Sequence, residues 1–373
     1  MLSRDAVIAK ARELDFADVG FTTSEPFTHQ KTILAERREE YAWTRLRGLD
    51  LMAGTDPAAL LPGARSIIVL LELYFRQAFP RSMEPHFGRC YLDDDRMTKD
   101  GLALRIKAFR AFLQEGGLRV EIPYHLSHRL AAARAGLGDF GKNCLFYAKR
   151  VARGGSWVLP VALVVDAEFA PDPPSLEIGC PDWCKNACLT ACPTGALLGP
   201  RKLDPRRCIS FLTYFGQGLT PRELREPMGL WVYGCDRCQN VCPRNAPWLA
   251  AQLPPNPRAA AKAADFDLRQ LLAMDAGYFR QRVWPHMFYM SEKELWRWKM
   301  NLARVMGNTR DEGYVPDLVR AWADNDDPRV RAMCAWALGR IGGGAARRSL
   351  EGFRGQDDAL VAEEVEAALD SLP

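Results

Sequence analysis

Cys180-Pro-Asp-Trp-Cys184-Lys-Asn-Ala-Cys188-Leu-Thr-Ala-Cys192-Pro193 is the stretch that decides how this chain is read. A second run follows, Cys235-Asp-Arg-Cys238-Gln-Asn-Val-Cys242-Pro243, with Cys208 between the two. Eight of the eleven cysteines in the 373 residues fall within these 63 positions. An odd cysteine count in a long chain with no visible export signal argues against a disulfide framework. Thiols packed this densely point to metal instead.

Thiolates are the ligands that iron–sulfur clusters require, and a four-iron cubane takes four of them. In two-cluster ferredoxins the last cysteine of one run ligates the other cluster. The same crossing here gives Cys180, Cys184, Cys188 and Cys242 to one cluster. Cys192, Cys208, Cys235 and Cys238 go to the other, leaving Cys90, Cys144 and Cys334 over. Zinc also accepts four thiolates, but the two Cys-Pro ends and Ala191-Cys-Pro-Thr-Gly-Ala196 favour two [4Fe-4S] clusters. The first run has three residues in gaps where ferredoxins usually have two, so the ligand set of the first cluster stays open.

Clusters of this kind pass single electrons, and the rest of the chain must offer them a destination. A bare carrier has no use for some 170 residues before the clusters and 120 after them. Apolar residues make up 48%, enough for a sizeable core, and the net charge of +4 is too small to argue for any partner. No apolar run approaches the roughly 20 residues that span a bilayer. The opening MLSRDAVIAKARELDF reads as an amphipathic helix without an export signal, so a cytoplasmic address and no membrane contact are expected.

Working outward, Ser66–Leu73 and Val158–Val165 suit buried strands, and Leu102–Leu113 and Leu126–Ala135 suit helices. Pro171-Asp-Pro-Pro174 and LPPNPRAAAKAA at 253–264 read as joints. Three domains are therefore expected: a mixed α/β part over 1–170, the cysteine part over 171–252 and a helical part over 265–373. In the last, Leu302-Ala-Arg-Val-Met-Gly307 echoes Trp336-Ala-Leu-Gly-Arg-Ile-Gly342 at a spacing suited to HEAT-type helix pairs. Asp327-Pro328 between them is a helix start. Residues 311–373 hold 13 acidic and 7 basic side chains, a net of −6, which is a poor surface for phosphates. The triplet Asp93-Asp94-Asp95 reads as a solvated turn, with cation binding as the lesser alternative.

Gly136-Leu-Gly138-Asp-Phe-Gly141 fits the dinucleotide fingerprint but follows a helical run rather than a strand, which argues against a Rossmann unit. The glycines, followed by Lys142-Asn143-Cys144, read as a place where backbone approaches something large.

These residues together resemble the epoxyqueuosine reductase family and, more distantly, the reductive dehalogenases. The resemblance rests on Leu61-Pro-Gly-Ala-Arg-Ser-Ile-Ile-Val69, Ala135-Gly-Leu-Gly-Asp-Phe-Gly-Lys-Asn143, Gly155-Ser-Trp157, Cys208-Ile-Ser-Phe-Leu-Thr213, Tyr233-Gly-Cys235 through Pro243, Asn301 and Gly307-Asn308. It implies an α+β fold: a corrinoid-binding α/β (nitroreductase-like) domain, a ferredoxin-like two-cluster domain and a HEAT-like tail. It implies cobalamin as the electron sink, reduced ferredoxin or flavodoxin as donor, and Gly138, Gly141, Lys142, Asn143, Ser156 and Trp157 beside the corrinoid. One-electron donors would charge a cobalt centre that does two-electron chemistry. The substrate is either epoxyqueuosine in tRNA or another small molecule; the alternative is a two-cluster electron-transfer or redox-sensing protein without corrinoid.

The chain departs from the family at its proposed proton donor. Counting back seven residues from Arg129 lands on Ile122, where the family has aspartate. The stretch Glu121-Ile-Pro-Tyr-His-Leu-Ser-His128 offers Glu121, Tyr124, His125 and His128 in its place, with Tyr91 further off. The aromatic run Trp284 to Trp298 is read either as a cap on the substrate pocket or as helix packing.

Overall fold

The computed structural model describes residues 2–94 and 99–372, so Asp95 of the acidic triplet lies outside the described residues. Asp93 is engaged rather than merely solvated: it meets Arg258 at 3.0 Å and accepts from Asn256 at 2.8 Å.

The two apolar runs expected to be strands form the centre of one sheet. The strands are β1 (Asp18–Thr23), β2 (Ser66–Leu73), β3 (Val120–Glu121), the short hairpin of β4 (Gly138–Phe140) and β5 (Phe146–Ala148), and β6 (Val158–Val165). β2 and β6 pair antiparallel over their full length, Ser66 opposite Val165 and Leu73 opposite Val158. The sheet order is β1-β2-β6-β3. Continuous apolar runs need cover on both faces, and both are covered. Ile67, Val69 and Leu71 pack with Ala131–Ala133 of the helix His128–Arg134. Ile68, Leu70, Val161 and Leu163 pack with Val7, Phe109 and Leu113 of the helices Arg4–Glu13 and Gly101–Glu115.

The C-terminal part is a stack of helices, Leu295–Thr309, Val315–Ala323, Pro328–Ile341, Gly343–Gly352 and Ala359–Asp370. Asp327 caps the third as expected, its Oδ1 accepting from the Arg329 amide at 3.0 Å. The internal echo has a packing cause. A Cβ on Gly307 would stand 2.8 Å from the Ala337 Cα, and one on Gly339 would stand 2.9 Å from the Ala368 Cα. Successive long helices thus touch backbone to backbone through one glycine each.

The expected domain limits are crossed by the packing. The core of the C-terminal helices also contains Phe75, Phe79, Met83, Phe87, Leu92 and Trp157 from the first part of the chain. The joint at 253–264 is docked, not loose. The Ala78 amide donates to Pro254 O at 2.8 Å, the Asn256 amide to Ala78 O at 2.9 Å, and Asn256 caps the helix Pro257–Lys262. Proline density reads as linker because it removes donors, yet two backbone bonds and one cap suffice to seat this segment.

Candidate redox centre

Cys188 has Cys180, Cys184 and Cys242 as its thiol neighbours; burial first, then those three sulfurs, push its thiol up to about 11. Cys192, Cys208, Cys235 and Cys238 share the wall of one cavity. Burial raises Cys208, Cys235 and Cys238 as well. Bare thiolates are disfavoured at Cys188, Cys208, Cys235 and Cys238, so these sulfurs become charged when a metal centre takes the proton's place. Backbone amides already aim at both sets. Lys142 N donates to Cys180 Sγ at 3.3 Å and Arg237 N to Cys235 Sγ at 3.4 Å. The donor set fits two four-iron clusters.

The wide gap between Cys184 and Cys188 is absorbed locally. A single turn of 3-10 helix, Asp182–Cys184, ends on Lys185 and Asn186, both left-handed with φ of 46° and 62°. The helix Ala187–Ala191 then starts and carries Cys188 inward. Two consecutive non-glycine residues in this region are unusual; they reverse the chain so that the extra residue does not displace the next thiol.

The cavity beside the second set encloses about 330 Å³. The thiols form one wall. The start of β6, Val158 to Pro160, with Leu145 and Phe146, forms another; Asn143, Ser156, Gln239 and Arg129 supply polar groups. Ser156 is locked in place: its Oγ donates to Gln239 Oε1 at 2.8 Å, and Asn245 Nδ2 donates to that Oγ at 2.9 Å. Arg129 makes no hydrogen bond or ion pair among the described residues. Tyr91, Tyr214 and Tyr289 close the inner end, the first two with hydroxyls 3.3 Å apart. Burial holds Tyr91 and Tyr214 well above the usual phenol range, so they keep their protons.

Of the residues expected beside a corrinoid, Asn143 and Ser156 line this cavity, whereas Gly138, Gly141, Lys142 and Trp157 do not. The glycines serve the hairpin. A Cβ on Gly138 would lie 2.0 Å from Tyr147 O, and one on Gly141 2.5 Å from the Tyr147 ring, so what the backbone approaches is Tyr147. Lys142 faces the first thiol set, its Nζ bonded to Asn186 Oδ1 at 2.9 Å. Trp157 is fully buried beneath the Arg89 guanidinium.

None of the four expected proton donors lines the cavity. Glu121 sits on β3, 3.8 Å from Arg110. His128 is held at both nitrogens: Nε2 lies 3.0 Å from Pro123 O, and Nδ1 accepts from the Ala162 amide at 3.4 Å. His125 Nδ1 accepts from the Asp50 amide at 3.1 Å, and Tyr124 is 67% exposed. Arg129, Tyr214 and Gln239 were missed as lining groups, because only the tertiary fold brings them to one place. Of the aromatic run, Tyr289 reaches the cavity, while Trp298 is core, stacked on Tyr233 at 5.2 Å.

Residues 182–245 match the model of a 4Fe-4S double cluster binding domain, and residues 289–370 match HEAT repeats. The first match begins two residues after Cys180. The epoxyqueuosine reductase of Bacillus subtilis is 30% identical over 367 residues, covering 93% of this chain and 90% of that one. The chain belongs to the epoxyqueuosine reductase family. The Xanthomonas campestris reductase is 33% identical, over 89% of this chain and 94% of its own. Two solved members of the family superpose over nearly the whole chain. The Bacillus subtilis reductase, solved with its catalytic aspartate loop swung out of the active site, is 29% identical with a TM-score of 0.82 and 99% of both chains covered. An epoxyqueuosine reductase solved with an epoxyqueuosine-modified tRNA stem loop is 28% identical, again at 0.82, over 99% and 98%. As an epoxyqueuosine reductase family member the chain is an iron–sulfur oxidoreductase. No helix among the described residues is long and apolar enough to cross a membrane.

Proposed function

We propose that this chain reduces epoxyqueuosine in tRNA, drawing single electrons from reduced ferredoxin or flavodoxin through its two clusters to a cobalamin in the cavity. The observation that carries the reading is the shared wall: Cys192, Cys208, Cys235 and Cys238 line the same space as Asn143, Ser156 and Arg129. Electrons arriving at those sulfurs are already at the cavity.

The lining suits part of a corrinoid. An apolar wall faces side-chain amides that can pair with the group's own amides, and the enclosed 330 Å³ would take its reacting centre while the open side held its periphery. Asn143 and Ser156 would orient it. When bound, cobalamin supplies a centre that collects electrons singly and delivers them in pairs. Removing the epoxide oxygen as water takes two electrons and two protons, so this chain must also hold a proton donor near the cavity.

Tyr124 and His125 are the donors we favour among the four expected residues, because Glu121 and His128 are committed to structural partners. His125 accepts at Nδ1, so its neutral ring carries the proton at Nε2. Both residues precede Arg129 on one loop, and Arg129 lines the cavity. The solved relative with its catalytic loop displaced supports loop mobility in the family. Arg38 and Arg45 make no ion pair among the described residues. They line a second hollow with Asp50, the residue that holds His125, and offer cations for RNA phosphates there.

The test is the queuosine content of tRNA from a deletion strain. Epoxyqueuosine should accumulate and queuosine should vanish; normal queuosine would sink the tRNA reading. Reconstitution of the chain with cobalamin separates the reductase from a bare electron-transfer protein, which would retain no corrinoid absorption.

A further inference from the structure

Around the first thiol set, large apolar side chains stand in solvent. Trp183 is 68% exposed and directly precedes Cys184; Val241 is 40% exposed and directly precedes Cys242; Leu176 is 44% exposed. None of the three belongs to a hydrophobic cluster, and Trp183 makes no ring contact among the described residues. Three large exposed apolar groups in the segments that carry one thiol set point to a binding surface.

The surroundings are cationic, and hydrogen bonds tie them to the thiols. Lys142 donates its amide to Cys180 and its ammonium to Asn186; Arg201 donates its amide to Lys142 O at 3.3 Å and its guanidinium to Leu176 O at 2.7 Å. Lys185 is exposed on the left-handed turn between Trp183 and Cys188 and has no partner among the described residues. Glu177 and Asp182 are the acidic residues of the same segment, 176–185. The second thiol set, by contrast, faces the cavity.

We propose that this face, centred on Trp183 with Lys142, Lys185 and Arg201 at its rim, is where an acidic one-electron carrier protein docks to reduce the first cluster. The inference rests on the electron route proposed above and assigns its entry point. An apolar centre excludes water while a cationic rim steers an acidic partner, a combination that raises encounter rates more than it raises affinity. Each encounter oxidises the carrier by one electron and reduces the iron–sulfur centre beside Trp183 by one; no proton or third reactant is needed. The two left-handed residues that absorb the wide cysteine gap thereby gain a second consequence, since they hold Lys185 outward beside the apolar centre.

The experiment uses holoprotein with both clusters, without tRNA or cobalamin, so that a wrong substrate assignment leaves it unaffected. Flavodoxin hydroquinone is mixed anaerobically with wild type, Trp183→Ala and Lys185→Glu, and cluster reduction is followed by loss of visible absorbance. Dithionite, too small to need docking, is the parallel reductant. The variants should react with flavodoxin about tenfold more slowly and with dithionite at the wild-type rate. The wild-type flavodoxin rate should also fall steeply as salt shortens the Debye length below about 10 Å. Unchanged flavodoxin rates in both variants overturn the proposal. So does an equal loss with dithionite, which places the effect in the cluster.

Discussion

The side-chain amide of Asn301 donates to Thr213 O at 2.7 Å and uses its second hydrogen on Val232 O, 3.1 Å away. One residue of a C-terminal helix thus joins the segment that follows Cys208 to the segment that precedes Cys235. It is part of a stripe. Arg297 reaches Tyr214 O and Gly216 O, Arg304 reaches Gly229 O and Trp231 O, and Asn308 reaches Arg225 O and Gly229 O. These positions recur every three or four residues, so one face of the helix Leu295–Thr309 presents donors to the carbonyls of these loops. The HEAT-like part therefore frames the loops that carry the second thiol set.

Asn301→Leu should strand two buried carbonyls. Each lost partner costs about 1–3 kcal/mol, so the denaturant midpoint should drop. The second cluster should become labile while the first persists. Iron per chain after desalting would fall from about eight toward about four; full retention of both clusters and of stability would contradict the framing role.

The two thiol sets should be separable. Cys188→Ala and Cys180→Ala should each remove the first cluster, and Cys235→Ala the second, each leaving about four irons. Cys180 is the informative case, since it stands outside the matched residues 182–245 and its gap to Cys184 is one of the two wide ones. A Cys180→Ala protein with about eight irons would show that the first cluster draws its fourth ligand elsewhere.

His128→Ala should act on stability rather than chemistry. It leaves the Ala162 amide without its side-chain acceptor beside the sheet, a loss of about 1–3 kcal/mol, with residual turnover per folded molecule close to wild type. Tyr124→Phe, which touches no structural bond, should leave the melting temperature in place. If Tyr124 donates the proton, this variant lowers kcat at unchanged cluster content; wild-type kcat leaves His125 as the donor.

Acid should loosen the tie between the N-terminal region and the C-terminal helix. Burial alone would raise the Glu294 carboxyl, but hydrogen bonds from Arg47, the Ser291 amide and Arg297 outweigh it and hold it at about 2, below the ordinary 4.5. A carboxyl lowered in the folded state stabilises above its unfolded pKa, and that stability is lost as pH falls toward the folded one. The unfolding free energy of wild type should therefore decline between pH 4.5 and 2, and Glu294→Gln should flatten part of that decline. Equal slopes would remove Glu294 from the account.

Arg225 and Glu364 make a second tie, two hydrogen bonds of 2.8 Å between side chains 2% and 5% exposed. Removing one partner of such a pair costs about 3–5 kcal/mol because the other is left buried and charged. Glu364→Ala should approach that figure in chemical denaturation, and a double replacement by apolar residues should recover most of it.

Local signals carried much of this protein. Cysteine spacing pointed to iron–sulfur chemistry, continuous apolar runs marked β2 and β6 to the residue, and Asp327-Pro328 marked a helix start, because each depends on neighbours within a few positions. The glycine loop misled for the same reason: spacing shows that backbone comes close to something, and only the fold shows that it is Tyr147. The joint at 253–264 looked like a linker because its partner, Ala78, is far away in sequence. Of the cavity, only Asn143 and Ser156 were legible, through the family resemblance. Arg129, Asn143, Ser156, Cys208, Cys235 and Tyr289 meet there from segments up to 160 residues apart, and convergence of that kind has no local period. Sequence alone therefore determined the ligand chemistry and the central strands. Tertiary structure decided which polar groups face the cavity, which proton-donor candidates are already bound to backbone, and how the helical tail grips the cluster loops, since long-range contacts are chosen by packing and not by spacing.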